Sequence, residues 1–293
     1  MKRKKIDPAS LVLDIVIYAI LIFLTFICLY PVWFVLVASF ATSSEVQLSG
    51  GLMLWPKEMV FGAYKLVFQN HLLKSGFLNA AKVLVMALPI NIILTLIAGF
   101  FMATSNMMLK KPIVWLMMFT MFVGGGMIPM YLNVKELGLM NSLWSLVLPG
   151  AMSVYNAIIC KTAIEAMPDS LQESAYLDGA GHMQVLLRIV APLIKPTLAV
   201  LLLYYGVGHW NSWFEASMYI RDSDKLPIQN ILRDIMGTNS KYQDNLSAGD
   251  AYNAYGEAIK YAAIVVSTTP IMCIYPFLQK YFAKGVMIGA VKG

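Results

Sequence analysis

The side chains that could carry chemistry are few and scattered. His71, His182 and His209 include no pair at helical metal-ligand spacing. Cys28, Cys160 and Cys273 each sit inside an apolar block without a C-x-x-C, and read as small hydrophobes. No G-x-S-x-G and no H-E-x-x-H occurs, so neither a serine-hydrolase elbow nor a zincin site is encoded. No G-x-x-x-x-G-K-[ST] occurs, so the chain holds no phosphate-cradling loop of that type. A membrane-bound enzyme would need clustered acids, bases or ligands, and none is present. Neither a catalytic residue nor a metal site is expected. One stretch does concentrate charge, glycine and proline: ESAYLDGAGHMQVLLRIVAPLIKP, from Glu173 to Pro196.

The elements around that stretch are apolar. Only 13% of the 293 residues are charged against 59% hydrophobic, too few to cover a water-facing surface, and the apolar residues come in long blocks. Six spans are expected, at 13–40, 77–105, 112–131, 142–163, 196–219 and 258–281. Each reaches or exceeds the roughly 20 residues that cross a bilayer core. The third is interrupted by Gly124-Gly125-Gly126 and Pro129. The run after MKRKK is too long for a signal peptide and reads as a retained first span.

Lysine and arginine in short loops set the orientation. Lys2, Arg3, Lys4 and Lys5 precede the first span, Lys110 and Lys111 fill the second-to-third loop, and Lys280, Lys284 and Lys292 follow the last. With six spans all of these share one side, so both termini are expected to be cytoplasmic. The net charge of +6 is explained this way, without nucleic acid as a partner. The chain reads as a single integral membrane domain, 1–293. Its parts are a cytoplasmic tail (1–12), external loops (41–76 and 220–257), a core region (77–281), a cytoplasmic loop (164–195) and a cytoplasmic tail (282–293).

The opening stretch therefore faces the cytoplasm. Ser170-Leu171-Gln172-Glu173 has the S-x-x-E form of a capping box, with Ser170 expected to start a helix over Leu171–Asp178. Gly179 is expected to end it. Leu171, Ala175 and Gly179 recur at spacing four, a small-residue face open to close approach by a partner. A second amphipathic helix is expected from about His182 to Val190, with Val185, Leu186 and Ile189 apolar, and Pro192 and Pro196 setting the entry of the fifth span. The plain alternative is a solvated loop on the membrane surface.

The order Glu173-Ser174-Ala175, Asp178-Gly179-Ala180, Ile189, Pro192 resembles the EAA motif of ABC importer permeases. Ser174 replaces the motif's first Ala, and Ala191 the Leu that often precedes the proline. Phe122 to Pro129 with Tyr131, Lys135 to Leu139, Leu148-Pro149, Asn156, Trp210-Asn211 and Gly285 with Gly289 to Gly293 resemble the carbohydrate branch. Within that branch the chain resembles maltose-type inner permeases, and more closely permeases for complex, often uronate-containing oligosaccharides of Gram-positive bacteria. Lys161 stands where an Arg is usual, keeping the charge and losing the planar fork.

The resemblance implies an all-α integral membrane protein with the type I ABC importer permease fold, in a bacterial cell membrane. It implies a cytoplasmic coupling helix between the fourth and fifth spans, carried by Glu173, Ser174, Ala175, Asp178, Gly179, Ala180, Ile189 and Pro192. It implies four partners: a second, non-identical permease, a pair of ATPase subunits, an extracellular solute-binding protein and an oligosaccharide. The chain itself would hold no cofactor, with ATP and Mg²⁺ bound by the ATPase.

Polar groups inside spans tend to face a cavity or bond across helices. Tyr155, Asn156, Trp210 and Asn211 are the candidates for a sugar pathway. Asn91 and Thr95 read more readily as cross-helix bonds, and Tyr204, Tyr205 and Trp213 as packing or an interfacial belt. Glu215 is expected either to meet the binding protein or to stay solvated. Loop 220–257 faces the binding protein by resemblance, or is simply flexible. Two alternatives remain open. One is an importer for a non-sugar solute. The other is a secondary transporter, against which the near absence of acids in the spans counts.

Overall fold

A run of apolar residues without a charge beyond Asp14 leaves the backbone no option in lipid but to satisfy itself, and the first element is a 31-residue helix. The computed structural model describes residues 8–104, 108–237 and 249–290. The basic residues Lys2, Arg3, Lys4 and Lys5, the loop residues 238–248 and the terminal Val291, Lys292 and Gly293 lie outside them. Every described element is helical or a turn, in the order Pro8–Ala38 (α1), Ser43–Leu48 (α2), Gly62–Gln69 (α3), His71–Ala103 (α4), Lys110–Phe122 (α5), Met127–Glu136 (α6), a 3₁₀ turn Leu143–Leu146, Val154–Glu165 (α7), Asp169–Leu177 (α8), His182–Val185 (α9), a π turn Leu186–Val190, Ala191–Leu193 (α10), Lys195–Asn211 (α11), Phe214–Tyr219 (α12), a 3₁₀ turn Ser223–Lys225, Ile228–Met236 (α13) and Gly249–Ala290 (α14).

The chain forms two compact units: Met1–Asn70 with Asp234–Ser267, and His71–Arg233 with Thr268–Gly293. In the first, Val37, Ala38, Ala41, Val46 and Met53 form a small core with Phe34 and Tyr261 against it. Tyr30 Oη donates to Gly51 O at 2.9 Å, and Trp33 Nε1 donates to Leu54 O at 2.9 Å, so the residues after α2 fold back on α1. Ser43 Oγ accepts from Glu257 N–H at 3.1 Å, tying α2 to α14.

The second unit is organised on α4. Its buried residues include Gly76, Asn79, Ala80, Val83, Ala87, Asn91, Thr95, Gly99 and Met102, a stripe at helical spacing made largely of small and amide side chains. Such a stripe lets neighbouring backbones close in where lipid supplies no hydrophobic drive. A Cβ on Gly99 would lie 2.8 Å from Cys160 Sγ and 3.1 Å from Lys161 N, so α4 and α7 cross in near contact. The main core joins Leu96 and Phe100 of α4, Cys160 and Ile164 of α7, Val185, Leu186, Val190 and Ile194 of the connecting loop, and Leu201 of α11.

By length and composition, three described helical stretches can cross a membrane: Leu11–Ala38, His71–Ala103 and Tyr255–Ile274. Two bent pairs bring the number to five. The expected third span is broken where foreseen: α5 and α6 meet at 116° around the glycines, with Gly126 at φ +88°. The fifth follows an 85° turn between the α9–α10 segment and α11, at Ile194. The expected fourth span, 142–163, is not one helix. It is a 3₁₀ turn, an irregular stretch and the 12-residue α7, which at 1.5 Å per residue covers only about 18 Å. The reason is local. Pro149 cannot continue a helix, and Ser153 caps a new start by accepting from Asn156 N–H. The carbonyls of Gly150 and Ala151 are instead taken by Asn91 Nδ2 at 3.4 and 2.8 Å.

Candidate functional sites: the Glu173–Pro196 loop and a polar cavity

The loop is α8, α9, a π turn and α10, folded onto the C-terminal ends of α4 and α7 and the first half of α11. The expected capping box is absent. The helix starts earlier, with Pro168 at the N-cap (ψ 126°) and no side-chain cap. The proline directs the chain out of α7 and fixes φ for a helix start. Asp169 then puts a carboxylate in the first turn, where the helix dipole favours it. The C-terminus is as expected. Gly179 takes φ +84°, Ala180 N–H donates to Ala175 O at 2.9 Å, and Gly179 N–H donates to Tyr176 O at 3.0 Å. These are the two bonds of a Schellman ending, which wants a residue in the left-handed region.

The faces of α8 separate cleanly. Ala175, Tyr176 and Ala180 pack against the main core. The small face read as open to a partner therefore rests, at Ala175, on the chain itself. Glu173, Ser174, Asp178 and Gly179 are exposed, and Leu177 is 88% exposed. Ile189 is half-buried and Pro192 exposed. Tyr176 Oη and His182 Nδ1 share a hydrogen bond of 3.0 Å, their rings edge to face at 5.3 Å. Burial lifts the Tyr176 phenol above its ordinary pKa and keeps it neutral. Gln184 Oε1 accepts from Gly181 N–H at 3.1 Å and closes the turn between α8 and α9. A π turn with Ala191 N–H on Leu186 O then precedes Pro192, whose ring cannot donate.

Above the core, polar residues line a cavity of about 540 Å³. Its walls include Ser153, Asn156, Tyr204, Tyr205, His209, Ser212 and Glu215. Thr95 Oγ1 and Tyr205 Oη are 2.6 Å apart, and Ser153 N–H donates to Tyr205 Oη at 2.9 Å. His209 Nε2 and Asn91 Oδ1 are 3.0 Å apart. Ser212 Oγ donates to Glu215 Oε2 at 2.5 Å. Asn91 and Thr95 thus bond across helices, as read from the sequence.

Of the four pathway candidates, Asn156 alone lines this cavity. Trp210 is buried against Phe77, ring centroids 6.0 Å apart, and lines a separate apolar cavity with Leu84, Leu88 and Pro270. Tyr155 and Asn211 are exposed elsewhere. Sequence reasoning passed over His209 and Ser212 and set Tyr204 and Tyr205 aside as packing. The available signal was their spacing: 205, 209 and 212 share one face of a helix.

The far end of the unit is also fastened. Asn141 Oδ1 accepts from Arg221 and Asp222 N–H at 3.2 and 3.1 Å, and Asn79 Nδ2 donates to Asp224 O at 2.6 Å. The first part of loop 220–257 is thereby ordered against α4.

The model of the binding-protein-dependent transport system inner membrane component family matches residues 93–288, which contain both the loop and the cavity. The chain belongs to that family. A polygalacturonan/rhamnogalacturonan transport system permease protein, YtcP of Bacillus subtilis (strain 168), is 38% identical over 281 residues, 96% of this chain and 98% of that one. The protein LplC of the same organism is 37% identical over 273 residues, covering 91% and 90%. In the crystal structure of a bacterial ABC transporter involved in the import of the acidic polysaccharide alginate, one chain matches with TM-score 0.87 and 26% identity, over 96% of this chain and 100% of that one. The permease is accordingly a multi-pass membrane subunit of an ABC transport system, and its part is transport.

Proposed function

We propose that this permease moves an oligosaccharide into the cell, and that a separate ATPase drives it through the Glu173–Pro196 loop. The observation that carries this reading is the division of α8 into two faces. Ala175, Tyr176 and Ala180 are bolted to the core that joins α4, α7 and α11, while Glu173, Ser174, Leu177, Asp178 and Gly179 stand free. A partner gripping the free face would move α4, α7 and α11 together. ATP and Mg²⁺ would belong to that partner. The lysines of the short loops favour a cytoplasmic position for the loop and both termini. A second, unlike permease would complete the path, and an extracellular solute-binding protein would deliver the sugar to the Asn141–Asp224 end.

The substrates for which these relatives are named, polygalacturonan or rhamnogalacturonan and alginate, favour a uronate-containing oligosaccharide. The cavity suits a sugar, since hydroxyl, amide and imidazole groups can pair with sugar hydroxyls, and Tyr204 and Tyr205 offer rings. The test is co-purification from the native membrane in mild detergent, followed by uptake of galacturonide oligomers by the recovered complex. An ATPase, a second permease and ATP-dependent uptake are expected. Recovery of the folded chain alone, without an ATPase, would overturn the coupling role and favour secondary transport.

A further inference from the structure

Beside the loop, and apart from the sugar cavity, lies an open cleft of about 850 Å³ between the inner end of α4, α5 and α7. Its rim carries Lys110, Lys111 and Lys161, and its one carboxylate is Glu165. Lys161 Nζ is 3.0 Å from Glu165 Oε2, one turn along α7. Among the lining residues the other two ammonium groups have no counter-charge. The part of the wall that follows Lys111 along α5 is apolar. Trp115, two-thirds exposed, and Met118 line it, and the Trp115 ring stacks on Phe119 at 5.5 Å along α5. None of α5's residues is buried within this chain.

A basic rim above an apolar wall, at the membrane boundary, has the polarity of a phospholipid. We propose that this cleft binds an anionic phospholipid of the phosphatidylglycerol type, its phosphate against Lys110, Lys111 and Lys161 and an acyl chain along Trp115 and Met118. Inorganic phosphate would satisfy the lysines and leave the apolar wall bare, so the lipid is the better fit. The headgroup competes with Glu165 for Lys161. That lysine sits on α7, which runs into α8 through Met167 and Pro168. Lipid occupancy therefore bears on the position of the exposed face of α8.

The experiment uses the whole transporter in nanodiscs doped with phosphatidylglycerol or phosphatidylcholine brominated on the acyl chains. Quenching of Trp115 is read as the difference between the native protein and W115F. Brominated phosphatidylglycerol is expected to quench Trp115 well beyond brominated phosphatidylcholine, with inorganic phosphate having no effect. Each lysine removed in the series K110Q, K111Q, K161Q is expected to reduce that preference about fivefold, the size usual for a basic residue at the headgroup level. Equal quenching by the two lipids, or none by either, overturns the proposal, the latter placing a partner subunit over the cleft. Relief by inorganic phosphate overturns it in favour of a free-anion site. A preference that survives loss of all three lysines also overturns it. If the triple variant does not fold, the native comparison decides, and K110R/K111R/K161R must keep the preference.

Discussion

The Tyr205 hydroxyl lies 2.6 Å from Thr95 Oγ1 and accepts the N–H of Ser153, so a single oxygen joins α11, α4 and the start of α7 at the cavity wall. Removing it leaves the Thr95 hydroxyl and the Ser153 N–H short of a partner. Tyr205→Phe is expected to cost about 1–2 kcal/mol, the range for orphaning a buried polar group moderated by what membrane interiors show. Thermal unfolding in detergent checks it. In a double-mutant cycle with Thr95→Val, the two losses should fall short of additive by about 1 kcal/mol.

Leu177 projects from α8 with 88% of its surface free. Leu177→Glu should therefore leave unfolding unchanged, since no contact within the chain is lost. The same variant should abolish co-purification of the ATPase and ATP-dependent uptake. Unimpaired ATPase recovery would show that α8 is not the docking face.

Gly179 combines open space around its missing Cβ with φ +84°. Gly179→Leu meets no clash but places a branched side chain in the left-handed region, at about 1–2 kcal/mol. Membrane insertion should persist and transport should fall, while Gly179→Asn, which tolerates that region, should keep most of the activity. Uptake and ATPase rates measured together distinguish uncoupling from collapse.

Gly99 is a point of close approach between α4 and α7. Gly99→Val must push Cys160 and the backbone of Lys161 apart, with a cost of about 1–3 kcal/mol typical of overpacking. The expected readout is a lower unfolding temperature, partly recovered by pairing it with Cys160→Ala.

Asn141 takes φ +57° and its side chain accepts two loop N–H groups. Asn141→Gly keeps the backbone conformation and loses the acceptor, so protease cleavage in the 220–227 loop should rise. Asn141→Ala loses both and should be worse by about 1 kcal/mol. Equal protease resistance in all three proteins would mean that the Asn141 side chain is dispensable and that its backbone N–H on Tyr219 O, with Asn79, holds the loop.

What could be read from the sequence divides along physical lines. Long apolar runs announce membrane helices because composition alone decides transfer into lipid. Gly179 announced the end of α8 because only a residue tolerant of positive φ fits there. The start of α8 was misplaced because the S-x-x-E pattern at Ser170 is local, whereas Pro168 together with the exit from α7 sets where the helix begins. The fourth span was overdrawn for a similar reason. Its composition is apolar throughout, but Pro149 breaks it and Asn91, some 60 residues earlier, satisfies the freed carbonyls. The cavity was the least legible part. Its members come from four separate segments, α6, residues 145–156, the end of α11 and α12, and only tertiary packing brings them together.

The first helix has a consequence for the bilayer itself. Its apolar stretch, Leu11–Ala38, is 28 residues long, about 42 Å at the usual rise, against a hydrocarbon thickness of about 30 Å. The surplus must tilt or protrude. Tyr30 and Trp33 sit in the last third, each holding a backbone carbonyl of the segment that follows α2. A thicker membrane would draw those two rings inward and the Gly51–Leu54 segment with them. Any change in the tilt of α1 is therefore passed through two hydrogen bonds to the Gly51–Leu54 segment.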